Sequence, residues 1–242
     1  MTTGDPVDIA ETIRHAANDP HLVERRADLA RYFAKMFELA GDELHVVGHI
    51  IGTDRAVAAS PREHDSDETV GVSVILRVAS QLLSASVDLF MDGRTYAAAA
   101  LTRQIVEVEY LAWAFATRNG DAKRWLRSTR KERETFFRPA KLREAAKGHF
   151  RGVDYSYHCE LGGHPVPGGT VLLRGGESGA SQLLLSDVLG HAGAILNYAG
   201  AWARNNAHGM PILTRAKEMS ERFNALMAID PLADLPPPAE WQ

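Results

Sequence analysis

The chain has little of several features that mark particular protein classes. Its 242 residues include one cysteine, Cys159, which excludes a disulfide-stapled fold. No apolar run reaches the roughly 18 residues that a membrane-spanning helix needs, and the first residues show no charged-then-apolar leader pattern. The composition, 45% apolar and 24% charged, is that of an ordinary folded chain. We therefore expect a cytoplasmic protein with no membrane partner.

Strand signals are almost absent, and apolar residues recur at helical spacing nearly throughout. Asp92-Gly93 and Asn119-Gly120 are typical helix ends. The periodicity predicts a short helix over residues 7–17 and longer helices over 20–59, 67–91, 94–118, 180–206 and 211–229. The basic segment between the fourth of these helices and residue 148 is predicted to form one helix broken at Arg138-Pro139 and a further short one. The predicted fold is an all-α antiparallel helical bundle, a single domain over residues 1–230 followed by a Pro-rich tail, 231–242.

A Gly- and Pro-rich stretch from about residue 148 to 179 interrupts the helical pattern. We interpret it as one long irregular insertion that contains a short strand at Thr170–Arg174. Insertions of this length are usually functional or disordered, so the sequence predicts a site here.

Charge is unevenly distributed along the chain. Residues 118–151 contain twelve Lys or Arg and four acidic residues, a net +8, which leaves −12 on the rest of a chain whose total is −4. This basic segment, with Arg124 and Arg127 as candidate substrate-binding residues, can face a polyanion. It can equally be the solvated face of an amphipathic helix.

The fourth predicted helix is apolar over most of its circumference, which places it at the centre of the bundle. Arg103 and Glu107 lie four residues apart on its remaining polar strip. They form either a structural salt bridge between packed helices or part of a functional groove.

The insertion contains a constrained histidine. Gly162 and Gly163 allow a sharp turn, and Pro165 restricts His164 to extended conformations. His164 is therefore either a general acid or base, or an anchor that holds the loop.

An Arg-x3-Glu pair on a long apolar helix, followed about fifty residues later by a Tyr…His-Pro segment, resembles a bacterial helical family of domains of unknown function. The matching positions are Arg103, Glu107, Tyr157 and His164, with Cys159 where a small residue such as serine is expected. The resemblance covers about residues 70–210, implies a helical bundle, and adds Tyr157 as a substrate-binding residue.

A weaker resemblance is to HEPN-type helical ribonucleases, whose motif is Arg, four to six residues, then His. The chain has three such pairs, about as many as chance produces with ten histidines, so we base no site on them.

Two further residues are candidates for substrate binding. His191 lies on the inward stripe of its helix, four residues after Asp187, and is either a core histidine oriented by Asp187 or a residue facing Arg103 and Glu107. Arg77 lies on a polar stripe that either faces solvent or joins Arg103 in an anion pocket.

Metal sites are not predicted. One helix face carries acidic and histidine side chains but is better interpreted as a solvated face, and the insertion offers His158, Cys159 and His164 without a second cysteine. The face consists of Glu38, Asp42, His45 and His49. We expect no cofactor.

Two functions remain open. The first is a protein that binds or acts on nucleic acid or a phosphate-containing ligand, with metal-independent ribonuclease activity as the leading enzyme hypothesis. In it Arg103 stabilises phosphate charge, Glu107 positions Arg103 and His164 is the acid or base. The second is a non-catalytic interaction or oligomerisation module, for which a homodimer is the expected partner state.

Overall fold

A computed structural model describes residues 9–51, 67–150, 152–174, 179–233 and 235. Within these ranges every regular element is helical, which confirms the all-α bundle. The long helices are α1 (Ile9–Asn18), α2 (Pro20–Ile51), α3 (Asp67–Met91), α4 (Thr95–Thr117), α9 (Ala180–Arg204) and α10 (Met210–Met227). Between α4 and α9 lie the short helices α5 (Asp121–Arg127), α6 (Arg130–Glu132), α7 (Pro139–Ala145) and α8 (Gly152–His158).

Helices α2, α3, α4 and α9 enclose one continuous apolar core. The chain reverses between α3 and α4 at Gly93, whose φ of 74° is left-handed. Gly120, with φ 82°, directly precedes α5. Both glycines lie at predicted turns. The observed limits of α3 and α4 agree with the limits predicted from the sequence to within one residue.

Helix α3 is the one helix in the described ranges that is long and apolar enough to cross a membrane. In its most apolar 18-residue window, 61% of the residues are buried inside the bundle. Burial of this kind is typical of a core helix in a packed bundle.

A buried ion pair joins α2 to the segment that follows α10. The Arg26 guanidinium on α2 donates to both carboxylate oxygens of Asp230, at 2.6 and 2.7 Å, and both side chains are fully buried. Arg26 also donates to the carbonyl of Ala16 and to Gln182. The start of the Pro-rich tail is therefore docked, and Leu232 packs in the same small apolar cluster as Ala16.

The predicted irregular insertion is largely helical. After α8, residues Cys159–Gly163 form a π-helical turn, and Pro167–Arg174 form a 3₁₀ helix. The strand expected at Thr170–Arg174 is therefore wrong. Gly162 approaches α4 so closely that a Cβ there would lie 2.5 Å from the Ala100 nitrogen. Glycine has a weak helix propensity, and we infer that this packing against α4 is what stabilises the helical turn.

Several predicted segments lie partly outside the described residues, among them residues 7 and 8 of the first predicted helix and residue 151 of the basic segment. The others are the end of the second predicted helix with the polar loop after it (52–66), residues 175–178 of the insertion, and residue 234 and the tail beyond 235.

Candidate metal centre

Four ionisable side chains from three helices meet inside the bundle. Glu109 comes from α4, His158 is the last residue of α8, and Asp187 and His191 come from α9. Asp187 and His191 are four residues apart and therefore project from one face of α9. Glu109 belongs to the part of α4 that packs against α9.

The distances within this group are short. His191 Nδ1 lies 2.6 Å from Glu109 Oε2, and His191 Nε2 lies 3.2 Å from His158 Nε2. Asp187 places Oδ2 at 3.4 Å from His158 Nε2 and Oδ1 at 3.7 Å from His191 Nε2. The ligand-type atoms of His158, Asp187 and His191 thus converge on one point, whereas Glu109 stands behind His191.

Glu109 fixes the orientation and the tautomer of the His191 ring. An ionised carboxylate only accepts hydrogen bonds, so His191 Nδ1–H donates to Glu109. In the neutral ring, Nε2 then carries a lone pair that points at His158 and Asp187. A carboxylate behind a ligating histidine is the usual support of a metal-bound imidazole.

Asp187 carries a buried oxygen that a bound cation would satisfy. Its Oδ2 atom is buried and, among the described residues, accepts no hydrogen bond. Buried carboxylate oxygens are normally satisfied, and one that is not calls for a cation or a proton donor nearby.

The three side chains are close enough together to hold one ion, since one ligand atom from each lies within 4.8 Å of the others. Ligands at about 2.0–2.1 Å around a tetrahedral zinc lie about 3.3–3.4 Å from one another. Here the two imidazole Nε2 atoms lie 3.2 Å apart, Asp187 Oδ2 lies 3.4 Å from His158 Nε2, and the other oxygen, Oδ1, lies 3.7 Å from His191 Nε2. Two imidazoles with one carboxylate suit Zn²⁺ and other first-row transition metals, whereas Mg²⁺ and Ca²⁺ prefer all-oxygen sites.

The centre is enclosed except at one edge. The His158 side chain is 1% exposed, and those of His191 and Glu109 are also buried. Asp187 is 34% exposed, so solvent reaches the group along this carboxylate. Gly190, on the same face of α9, is exposed, and open space lies where its Cβ would be.

A second polar cluster lies beside the centre and contains the predicted Arg103–Glu107 pair. Arg103 Nη2 lies 3.1 Å from Glu107 Oε1, and the Tyr155 hydroxyl donates to the same oxygen at 2.9 Å. Burial and this hydrogen bond to a carboxylate raise the pKa of the Tyr155 phenol. The tyrosine that serves the pair is therefore Tyr155, whereas Tyr157 packs edge-on against the His158 ring at 5.6 Å.

Three of the expected contacts are not formed. His164 is exposed, and in the described structure its side chain has no hydrogen bond or ion pair to Arg103 or Glu107. Its carbonyl accepts hydrogen bonds from the Tyr96 hydroxyl and from the Val166 N–H. Arg77 pairs with Asp42 of α2 at 3.0 Å and does not join Arg103, because its face of α3 is turned toward α2. His191 faces Glu109, two residues after Glu107 on the opposite side of α4.

Much of the basic segment is engaged within the fold. Arg127 forms a two-pronged contact with the buried carboxylate of Asp67. Arg124 stacks over the Phe136 ring at 3.7 Å. These two candidate substrate-binding residues therefore hold α5 to its neighbours.

The sequence predicts that Asp187 lies beside His191, but it does not predict the four-residue centre. Its signals were present: an Asp and a His four residues apart on an inward stripe, and Glu109 on an almost entirely apolar helix. The sequence does not predict that His158 lies beside His191, because that contact depends on the path that the insertion takes to α9.

Comparisons of the chain with protein-family models, with curated proteins and with solved structures find no match. The family resemblances drawn from short motifs therefore stay predictions.

Proposed function

We propose that this protein binds one divalent transition metal ion, with zinc as the best match, through His158, Asp187 and His191. The observation that carries the proposal is the spacing of the three ligand atoms around one point, with Glu109 orienting His191. Asp187 Oδ2, a buried oxygen that accepts no hydrogen bond among the described residues, supports it.

The ligand count favours a reactive centre over a structural one. Structural zinc sites are closed by four protein ligands, whereas catalytic sites use three and leave the fourth position to water or substrate. Within the described residues no fourth histidine, cysteine or carboxylate joins the group. The partly exposed Asp187 lies at the edge where water would enter. A metal held in this way lowers the pKa of bound water and polarises a bound oxygen, which is the chemistry of hydrolysis.

This proposal replaces the metal-independent ribonuclease hypothesis. That hypothesis needed His164 as acid or base beside Arg103 and Glu107, and the described side chains do not support such a contact. The competing interpretation is a metal-free polar core, in which His158 donates its Nε2 proton to His191 and the protein is a non-catalytic module.

The test is metal content and affinity. The purified chain is stripped with a chelator, reloaded with Zn²⁺, and analysed by mass spectrometry of the metal and by competition with a chromophoric chelator. We expect about one equivalent of metal, with affinity lowered at least about tenfold in His158→Gln, Asp187→Asn and His191→Gln. His164→Gln is the matched control, an exposed histidine from the same segment.

Circular dichroism establishes that each variant remains helical. A wild-type chain that holds no metal after reloading, or ligand variants that bind metal as tightly as His164→Gln, would refute the proposal. The first of these results would favour the non-catalytic module.

We propose polyanion binding by the basic segment as a second, independent function. Its support is a set of exposed cations that have no anionic partner in the described part of the chain: Lys131, Arg138 and Lys147. The test is RNA affinity against salt concentration for the wild type and a triple Glu variant of these residues. We expect the log–log slope to fall by about 0.7 per lost contact with a single strand. A wild-type slope near zero rules the proposal out.

A further inference from the structure

We propose that Tyr198 and His149 are positioning residues of the metal site, and that the hydrogen bond between them holds the segment that carries His158 against helix α9. This inference rests on the proposed metal site and adds two residues on which its affinity depends.

His158 is the one ligand that no long helix carries. It is the last residue of α8, which has seven residues, and a helix of this length is not stable on its own. The place of His158 is therefore set by the contacts that hold the chain on either side of it. Gly162 packs against α4, and the Tyr155 hydroxyl donates to Glu107 of the same helix. These contacts tie the segment to α4, whereas the other two ligands belong to α9.

A contact with α9 is made just before α8, by His149. Its Nε2 atom lies 2.5 Å from the hydroxyl of Tyr198, a half-buried residue of α9. Burial and the negative charge of Glu109 raise the pKa of the Tyr198 phenol. The hydroxyl therefore keeps its proton and can donate it to Nε2 of a neutral His149 ring.

The backbone before His149 is shaped for this contact. The ring stacks on Trp113 of α4 with centroids 6.3 Å apart and lies edge-on to Phe150 at 5.0 Å. Lys147 and Gly148 have left-handed backbones, with φ 49° and 85°, and Lys147 is the one non-glycine residue of this kind among the described residues. A lysine stays in this sparsely populated region only where the surrounding structure holds it. We take this turn as the feature that places the His149 ring between α4 and α9.

The hydrogen bond lies on the same packed interface as the metal ligands. Tyr198 follows His191 by seven residues, so the two share a face of α9 two turns apart, a rise of about 10.5 Å. Trp113 follows Glu109 by four residues and shares its face of α4. The segment around α8 is therefore joined to α4 and α9 at two levels, one at the metal ligands and one at the ring of His149.

Without the second level, His158 has to be ordered when the ion binds. A ligand that must first be fixed loses part of its binding energy to conformational entropy, whereas one already in place does not. The net contribution of one intramolecular hydrogen bond corresponds to about a 3- to 10-fold change in an equilibrium constant. We expect the affinity for Zn²⁺ to fall by this factor when the bond is removed.

The experiment is a double-mutant cycle on the full chain, with Zn²⁺ affinity measured by competition with a chromophoric chelator. We expect Tyr198→Phe and His149→Ala each to lower the affinity about 3- to 10-fold. Tyr198→Phe should have no further effect in the His149→Ala chain, because both substitutions remove the same bond. His149→Gln, whose amide oxygen can accept from the phenol, should retain more affinity than His149→Ala. The matched controls are Tyr32→Phe on α2 and His208→Ala in the turn before α10.

The cycle distinguishes positioning from two independent effects. Additive losses would overturn the inference, and so would equal losses in His149→Gln and His149→Ala, or a Tyr198→Phe chain that binds Zn²⁺ as tightly as Tyr32→Phe. Circular dichroism of the metal-free chains at the assay temperature completes the test. Lost helicity in metal-free Tyr198→Phe would mean that the bond serves the whole fold, which also contradicts a positioning role. In all these cases the metal site stands, whereas a wild type that takes up no Zn²⁺ means that the proposed function itself has failed.

Discussion

Replacing Glu109 by glutamine separates a metal centre from an ordinary polar core. The substitution keeps the shape of the side chain but removes its charge and one of its two acceptors. Glu109 Oε2 lies 2.6 Å from His191 Nδ1 in a nearly dry site, so the amide can no longer stabilise a positively polarised imidazole. If the amide presents its NH₂ group, His191 moves its proton to Nε2 and loses the lone pair that faces the metal.

The expected magnitude follows from this geometry. Loss of the carboxylate behind a ligating histidine lowers metal affinity about 10- to 100-fold, or roughly 1.4–2.8 kcal/mol. The assay is competition for Zn²⁺ with a chromophoric chelator at fixed pH. The control is Glu107→Gln, two residues away on α4, because Glu107 contacts Arg103 and Tyr155 but neither imidazole.

Two results would refute the reasoning. One is a Glu109→Gln chain that binds Zn²⁺ as tightly as the wild type. The other is an equal loss in Glu107→Gln, which would mean that any change of charge on α4 perturbs the site. A melting curve of each metal-free variant excludes unfolding as the cause.

Two further predictions concern the frame around the site. Asp230→Ala leaves the fully buried Arg26 without its carboxylate and should lower the free energy of unfolding in urea by about 3–5 kcal/mol. The exposed Asp92→Ala should change it little, and equal effects would contradict the assigned role of the buried pair. Gly162→Ala puts a Cβ at 2.5 Å from the α4 backbone and should lower the melting temperature. Gly162 lies in the turn that directly follows His158, so the same clash should displace this ligand and lower the affinity for Zn²⁺. Gly168→Ala meets open space, and if it behaved like Gly162→Ala, the close approach to α4 would not be the cause.

The long helices could be predicted because their limits are local. Asp92-Gly93 and Asn119-Gly120 mark turns by backbone chemistry alone, and the apolar spacing between them needs no tertiary information. The segment after residue 148 could not be predicted in this way. Its glycines weaken any helix in isolation, and contact of Gly162 with α4 determines the observed conformation.

The candidate site could be predicted only in part, because some of its contacts also depend on tertiary packing. Asp187 and His191 share a face at i,i+4 spacing, so their proximity follows from the helix. Glu109 is 82 residues from His191, and His158 is 33 residues away. Arg77 illustrates the same limit. The sequence shows that it lies on a polar stripe of its helix, but not which neighbouring helix that stripe contacts, and in the structure Arg77 pairs with Asp42 of α2.

The position of His158 at the end of a short helix has a consequence for the unfolded chain. A metal that bridges His158 and His191 ties together residues 33 apart in sequence. A permanent cross-link of that loop length restricts the unfolded chain by the equivalent of about 3–4 kcal/mol. A bound ion would thus act as a reversible cross-link between the glycine-rich segment and helix α9, and its removal would lower the free energy of unfolding by an amount of this order.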